Sequence, residues 1–130
     1  MSGKDSTTGP APRPATPGVT AERLAASFLE KHGLTVVARN YRCRGGEVDL
    51  ICRDARVLVF VEVRLRRNAG YGGAAASITA AKRRRIVLAA RHYLATQATD
   101  PEPDCRFDCL LLDGLAENAL SWLRDAFSAA

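Results

Sequence analysis

Apolar residues recur along this chain with two different periods, and the changes of period mark out its elements. Ala21, Leu24, Ala25, Phe28 and Leu29 follow one another at helical spacing. Thr20 stands ahead of them as an N-cap and Gly33 behind them as the residue that closes the helix. Residues 34–39 are rich in β-branched side chains and predict a first strand. From 46 to 64 the pattern alternates, GEVDLICRDARVLVFVEVR, and predicts a β-hairpin. A second helix runs from an N-cap at Thr79 to about residue 97, with Ile86, Ala89, Ala90, Tyr93 and Leu94 inward, and ends before Pro101 and Pro103. Residues 106–112 read as a strand, Asp113 and Gly114 as a turn, and 119–123 as a last short strand. The order α-β-β-β-α-β-β predicts an α/β architecture, a mixed sheet flanked by helices. Residues 1–18 hold Pro, Gly, Ser and Thr with almost no large apolar side chain, and read as a disordered tail before a single domain at 19–130. The Gly- and Ala-rich stretch 65–76 around Tyr71 reads as a mobile loop.

The hairpin is the most informative segment. With Asp54 and Ala55 as its two-residue turn, Glu47 pairs with Glu62, Val48 with Val61 and Asp49 with Phe60. Paired residues share a face. One face then holds Val48, Leu50, Val59, Val61 and Val63. The other holds Glu47, Asp49 and Glu62, with Ile51, Leu58 and Phe60 further along. Like charges set opposite each other destabilise a sheet. Three carboxylates at the end of an otherwise apolar hairpin therefore require a cation: a divalent metal, Arg64, or both.

Composition narrows the classes. The 130 residues suffice for one core, and 47% hydrophobic with 25% charged residues is ordinary for a soluble globular protein. No apolar run is long enough to span a bilayer and the N-terminus lacks the apolar stretch of a secretory signal. Cys43, Cys52, Cys105 and Cys109 form no C-x-x-C pair. On one strand Cys105 and Cys109 would lie roughly 13 Å apart, too far to share a metal. Free thiols in a reducing cytoplasm are the expectation. The net charge of +5 is clustered at Arg42 and Arg44, at Arg64, Arg66 and Arg67, and at Lys82, Arg83, Arg84 and Arg85. Such clustering suggests a polyanion. The last cluster opens a helix, where cations oppose the macrodipole and phosphates are attracted. It is expected to contact a nucleic-acid backbone. Arg66, Arg67 and Tyr71 could clasp the same backbone, although Tyr71 could equally be packed. His32 stands at a helix C-terminus, where a cation is favourable, and His92 reads as a helix-surface residue. There is no Ser/His/Asp triad, P-loop or GxGxxG.

Asp49, followed after the turn by Glu62-Val63-Arg64, resembles the D…(D/E)-x-K signature of restriction-endonuclease-like nucleases. More closely, the span from about 20 to 127 resembles the YraN family. It does so through RCRGGEVDLICRD at 42–54, LVFVEVR at 58–64, YGG at 71–73, ITAAKRRRI at 78–86, RFD at 106–108 and RDAF at 124–127. The resemblance implies a restriction-endonuclease-like fold and a Mg²⁺- or Mn²⁺-dependent phosphodiesterase site acting on nucleic acid, read as DNA. Asp49 and Glu62 would be the ligands, with the backbone carbonyl of Val63. Glu22 matches an acidic position that related nucleases place at the site, although it also borders the apolar stripe as a surface residue would. Glu47 is either an acid supporting the ligands or a solvated one.

Two positions depart from the family pattern. Arg64 stands where the family usually has Lys, and Arg83 where it tends to have Gln. A guanidinium stays protonated and cannot act as a general base. Arg64 can stabilise developing charge or hold a phosphate, or it can simply pair with Glu62 or Asp49. The alternatives to a nuclease are a nucleic-acid-binding module with a decayed catalytic set, and a protein-interaction domain meeting an acidic partner.

Overall fold

The first helix, α1 (Pro17–Lys31), starts earlier than its apolar stripe suggests. Thr16, not Thr20, is the N-cap; its side chain accepts the Val19 N–H, and Pro17 follows at the first helical position, where a missing N–H costs nothing. Residues 17 and 18, tail-like in composition, thus belong to the helix. His32 caps the far end and Gly33 takes φ 93°, as the closing glycine should. The computed structural model describes residues 16–66, 78–97 and 103–129. The rest of the tail and most of the 65–76 loop, including Arg67 and Tyr71, lie outside them.

Five strands follow: β1 (Thr35–Cys43), β2 (Gly46–Asp54), β3 (Val57–Leu65), β4 (Cys105–Leu112) and β5 (Leu120–Phe127), in the spatial order β1-β2-β3-β4-β5. All neighbours are antiparallel except β3 and β4, which are parallel and joined through α2 (Ala80–Thr96). The sheet is therefore mixed and flanked by two helices, as the element order predicts. On one face α1 sets Ala25, Ala26 and Leu29 against Leu50, Cys52, Val59, Val61 and Leu110. On the other, α2 sets Ile86, Ala89 and Ala90 against Val48, Ile51, Leu58, Phe60 and Phe107. Each fully buried Leu, Ile or Phe contributes roughly 1.5–3 kcal/mol. Small residues at both helix faces let the helices lie close. Gly46 shows how close: a Cβ there would stand 2.7 Å from the Arg85 carbonyl and 2.8 Å from the Ala89 nitrogen.

The hairpin turn lies one residue further along than expected. Asp54 pairs with Val57, and the turn is Ala55 and Arg56, with Ala55 at φ 54°. Asp54 stays in the strand because its carboxylate accepts from Arg106 and Arg124. The true register shifts every partner by two, so it preserves most faces while replacing the expected pairs. The last backbone pair is Leu50 with Val61, which leaves Asp49 and Glu62 as the next residues outward.

One face assignment fails. Val48 packs under α2 with Ile51 and Phe60, not under α1 with Leu50. Alternation slips once between Val48 and Ile51, at the level of Asp49. Strand β1 slips at the same level: Ala38 and Tyr41 both pack against the α2 cluster, and between them Asn40 takes φ 49°. Asn tolerates that conformation better than most residues, and it lets β1 continue to Cys43 instead of ending at 39.

At the other edge, the fully buried Asp108 accepts hydrogen bonds from Arg106 Nε, Trp122 Nε1 and the Asp125 N–H. These bonds carry β5 past an irregular register between Phe107 and Cys109. All four cysteines are free thiols. Burial pushes the Cys52 and Cys109 thiols up to about 12, which makes them inert at neutral pH.

Candidate functional site: a carboxylate pair where two strands part

Beyond Leu50 and Val61 the β2–β3 ladder lapses, and a side chain takes its place. Asp49 Oδ2 accepts the Val63 N–H at 2.8 Å. This holds the Asp49 carboxylate against that of Glu62. Glu62 continues the row of Leu58 and Phe60 on the α2 side of β3 and is only 2% exposed. Its carboxyl is pushed up to about 8. Burial is the main cause, then the Asp49 charge and the hydrogen bond between the two carboxyls, while Lys82 pulls the other way.

Two cations approach Glu62 and two approach the neighbouring Glu47, with Lys82 shared between them. Lys82 Nζ is 3.4 Å from Glu62 Oε2 and 3.4 Å from Glu47 Oε2. Arg85 reaches Glu47 Oε1 at 3.5 Å. Arg64 approaches Glu62 at 3.9 Å, with 42% of its side chain exposed. Expected as phosphate contacts, Lys82 and Arg85 are turned toward acids instead. The spacing of α2 explains Lys82: residues 82, 86, 89 and 93 lie on one side of the helix, so Lys82 heads the stripe of Ile86, Ala89 and Tyr93. That signal is present in the sequence, but four consecutive cations obscure it. Glu47 is likewise held by cations, not simply solvated.

Glu22 stands at the rim. Burial raises its carboxyl; a hydrogen bond with Asn40 opposes this, and Asp49 adds to it. With Arg23, Arg39, Asn40 and Leu50 it lines a cleft of about 130 Å³. Asn40 has no place in the expected site, because only the local φ reveals it.

The rest of the basic cluster looks away from the acids. Arg83, Arg84 and Arg91 line a groove of about 590 Å³ between α2 and the end of β5, with Val87, Leu88 and Phe127 as its apolar floor. The Arg83 guanidinium lies 5.8 Å from the centre of the Phe127 ring. Arg91 stands outside the basic clusters of the sequence, although at spacings of seven and eight it follows Arg84 and Arg83 on one helix face. Arg66, expected on the nucleic-acid surface, makes a two-bond pair with Asp113 at 2.8 and 3.0 Å.

Among the described residues no three His, Cys, Asp or Glu side chains come close enough to hold a metal by themselves. A pair of carboxylates beside backbone carbonyls is still a donor set of the kind Mg²⁺ uses, since that ion keeps several waters and needs one or two carboxylates. No helix among the described residues is long and apolar enough to cross a membrane.

The comparisons with known proteins agree on one group. A UPF0102 protein of Dechloromonas aromatica is 61% identical over 112 residues, covering 86% of this chain and 88% of that one. Relatives in Cupriavidus taiwanensis and Nitrosospira multiformis are 56% identical over 113 residues and 54% over 110, covering 82% and 91% of their own lengths and 86% and 85% of this one. The profile of the uncharacterised protein family UPF0102, the YraN family of the sequence resemblance, matches residues 21–112, and the chain belongs to that family.

Proposed function

We propose that this protein is a divalent-metal-dependent phosphodiesterase of restriction-endonuclease-like fold acting on the DNA backbone. One observation carries the reading: a buried acid, Glu62, is held against a second carboxylate, Asp49, at the point where two strands part, beside a helix rich in Arg and Lys. Two like-charged carboxyls buried together are costly to ionise, and Lys82, 3.4 Å from Glu62, offsets only part of that cost. The donors are all oxygens, which suits Mg²⁺ or Mn²⁺ and not a softer metal. Asp49 and Glu62 would hold the ion, with the Val63 carbonyl. When bound, it supplies Lewis-acid polarisation of the phosphoryl oxygen and a nucleophile at neutral pH.

The chain's own residues supply the rest. Arg83, Arg84 and Arg91 offer guanidiniums to successive phosphates along the α2 groove. Arg64, half-exposed beside Glu62, is placed to offset charge on a phosphate at the carboxylate pair. The Asp49–Val63 hydrogen bond holds one ligand in place before any substrate arrives.

The test is a panel of single-stranded, duplex and branched DNAs with Mg²⁺ or Mn²⁺, using wild type and Asp49→Asn. Cleavage by wild type that Asp49→Asn abolishes supports the reading. Binding without cleavage across the panel would leave a nucleic-acid-binding module instead. Absence of both would point to a protein-interaction domain.

A further inference from the structure

Position 64 offers a guanidinium that is partly in solvent and 3.9 Å from Glu62. Lys82 is placed quite differently. Its ammonium lies 3.4 Å from both Glu62 and Glu47, and only 24% of its side chain is exposed. Its backbone is fixed as well. The Lys82 N–H donates to the Thr79 cap at 3.1 Å, and the next turns of α2 rest on Gly46 without room for a Cβ. A lysine in the first turn of a helix opposes the macrodipole. Here the two carboxylates offset that cost.

We propose that Lys82 is the resident counter-ion of the carboxylate site and that a divalent ion enters by displacing its ammonium from Glu62. The displacement step rests on the metal-binding reading above; the counter-ion assignment does not. An ammonium is a compact charge on a flexible stem, so it can withdraw while its backbone stays put. Tethered at the head of α2, it then remains beside the site to meet the negative charge of an incoming phosphate. Arg64 is too exposed and too distant to hold the site in the same way.

Two measurements on the full chain test this. Calorimetric titration with Mn²⁺ alone, without nucleic acid, compares wild type with Lys82→Met, Arg64→Met and Arg84→Met. Removing the competing charge should tighten Mn²⁺ binding about tenfold or more in Lys82→Met, and less than about threefold in the other two. Equal or weaker binding by Lys82→Met, or an equal gain in Arg64→Met, overturns displacement. If neither wild type nor Lys82→Met binds Mn²⁺ at millimolar concentration, displacement and the phosphodiesterase reading fall together.

A double-mutant cycle in denaturant at pH 9 needs no metal and decides the counter-ion assignment by itself. Lys82→Met should raise the unfolding constant about fivefold more in wild type than in the Glu62→Gln background. The corresponding ratio for Arg64→Met should be below about twofold. Equal effects of Lys82→Met in both backgrounds overturn the assignment. If Lys82→Met does not fold, Lys82→Gln takes its place in both measurements.

Discussion

The Asp49 carboxylate accepts the Val63 backbone N–H across the point where β2 and β3 part. A side chain thus closes a ladder that backbone pairing has left at Leu50 and Val61. The same carboxylate lies against Glu62 and raises its affinity for a proton. Asp49 therefore has a structural task and an electrostatic cost, and different substitutions separate the two.

Asp49→Asn keeps an acceptor for Val63 and removes the charge. It should be at least as stable as wild type at pH 8 while losing divalent-ion binding. Asp49→Ala loses the acceptor too, and should cost about 1–3 kcal/mol. Denaturant unfolding and Mn²⁺ calorimetry on the two variants check this. Unweakened metal binding by Asp49→Asn would remove Asp49 from the ligand set.

Glu62 holds its proton more tightly in the folded chain than in the unfolded one, at about 8 against an ordinary 4.5. Below pH 4.5 both states are protonated and the group is neutral to stability. Between 4.5 and 8 the unfolded chain ionises first, so the fold loses stability as pH rises. Above pH 8 the loss is complete, on the order of a few kcal/mol. Glu62→Gln should flatten this slope and gain most over wild type at pH 9. Parallel stability–pH profiles for the two proteins would contradict it. A divalent ion that takes the ionised form should raise the wild-type melting temperature more at pH 8.5 than at pH 6.

Arg83, Arg84 and Arg91 line one groove, whereas Lys82 faces acids. Replacing the three arginines with Ala should weaken DNA binding without regard to sequence. It should also reduce the dependence of log K on log salt by about 0.9 for each duplex phosphate deprived of its guanidinium. Arg66→Ala should leave that slope alone, because its guanidinium is already committed to Asp113. Fluorescence anisotropy over a salt series separates the outcomes, and an unchanged slope in the triple variant would move the interface off this face.

Gly46→Ala should destabilise by about 1–3 kcal/mol, since its methyl would meet backbone atoms of α2 that cannot rotate away. Because Lys82 and Arg85 are positioned by that same close approach, metal binding should change as well. A variant as stable as wild type would show that α2 can shift freely over β2.

The helices and strands are legible wherever one period runs uninterrupted. Thr79, Ile86, Ala89 and Ala90 define α2 in the sequence and in the structure alike. Asp49 and Glu62 are legible as neighbours because a two-residue error in register leaves the faces of a strand unchanged. What cannot be read depends on partners distant in sequence. Asp54 stays in its strand for Arg106 and Arg124. Val48 changes face because β1 and β2 both slip at Asn40 and Asp49. The helix start at Thr16 is hidden because Pro17 and Gly18 resemble tail. The role of Lys82 is hidden by its company, since a run of like charges suggests one shared surface although a helix distributes it around its axis.

The two inert thiols give the molecule an internal clock for opening. Cys52 belongs to the α1 side of the sheet, and Cys109 packs with Ile78 and Leu111 on the other. Neither can react with an alkylating reagent until its own layer comes apart, because burial both shields the sulfur and keeps the proton on it. Pulse labelling followed by mass analysis therefore times the two layers independently. If the parting of β2 and β3 at Asp49 is where the sheet first yields, Cys52 and Cys109 should be modified at different rates in the wild type and at converging rates once Asp49→Ala has removed the bond to Val63.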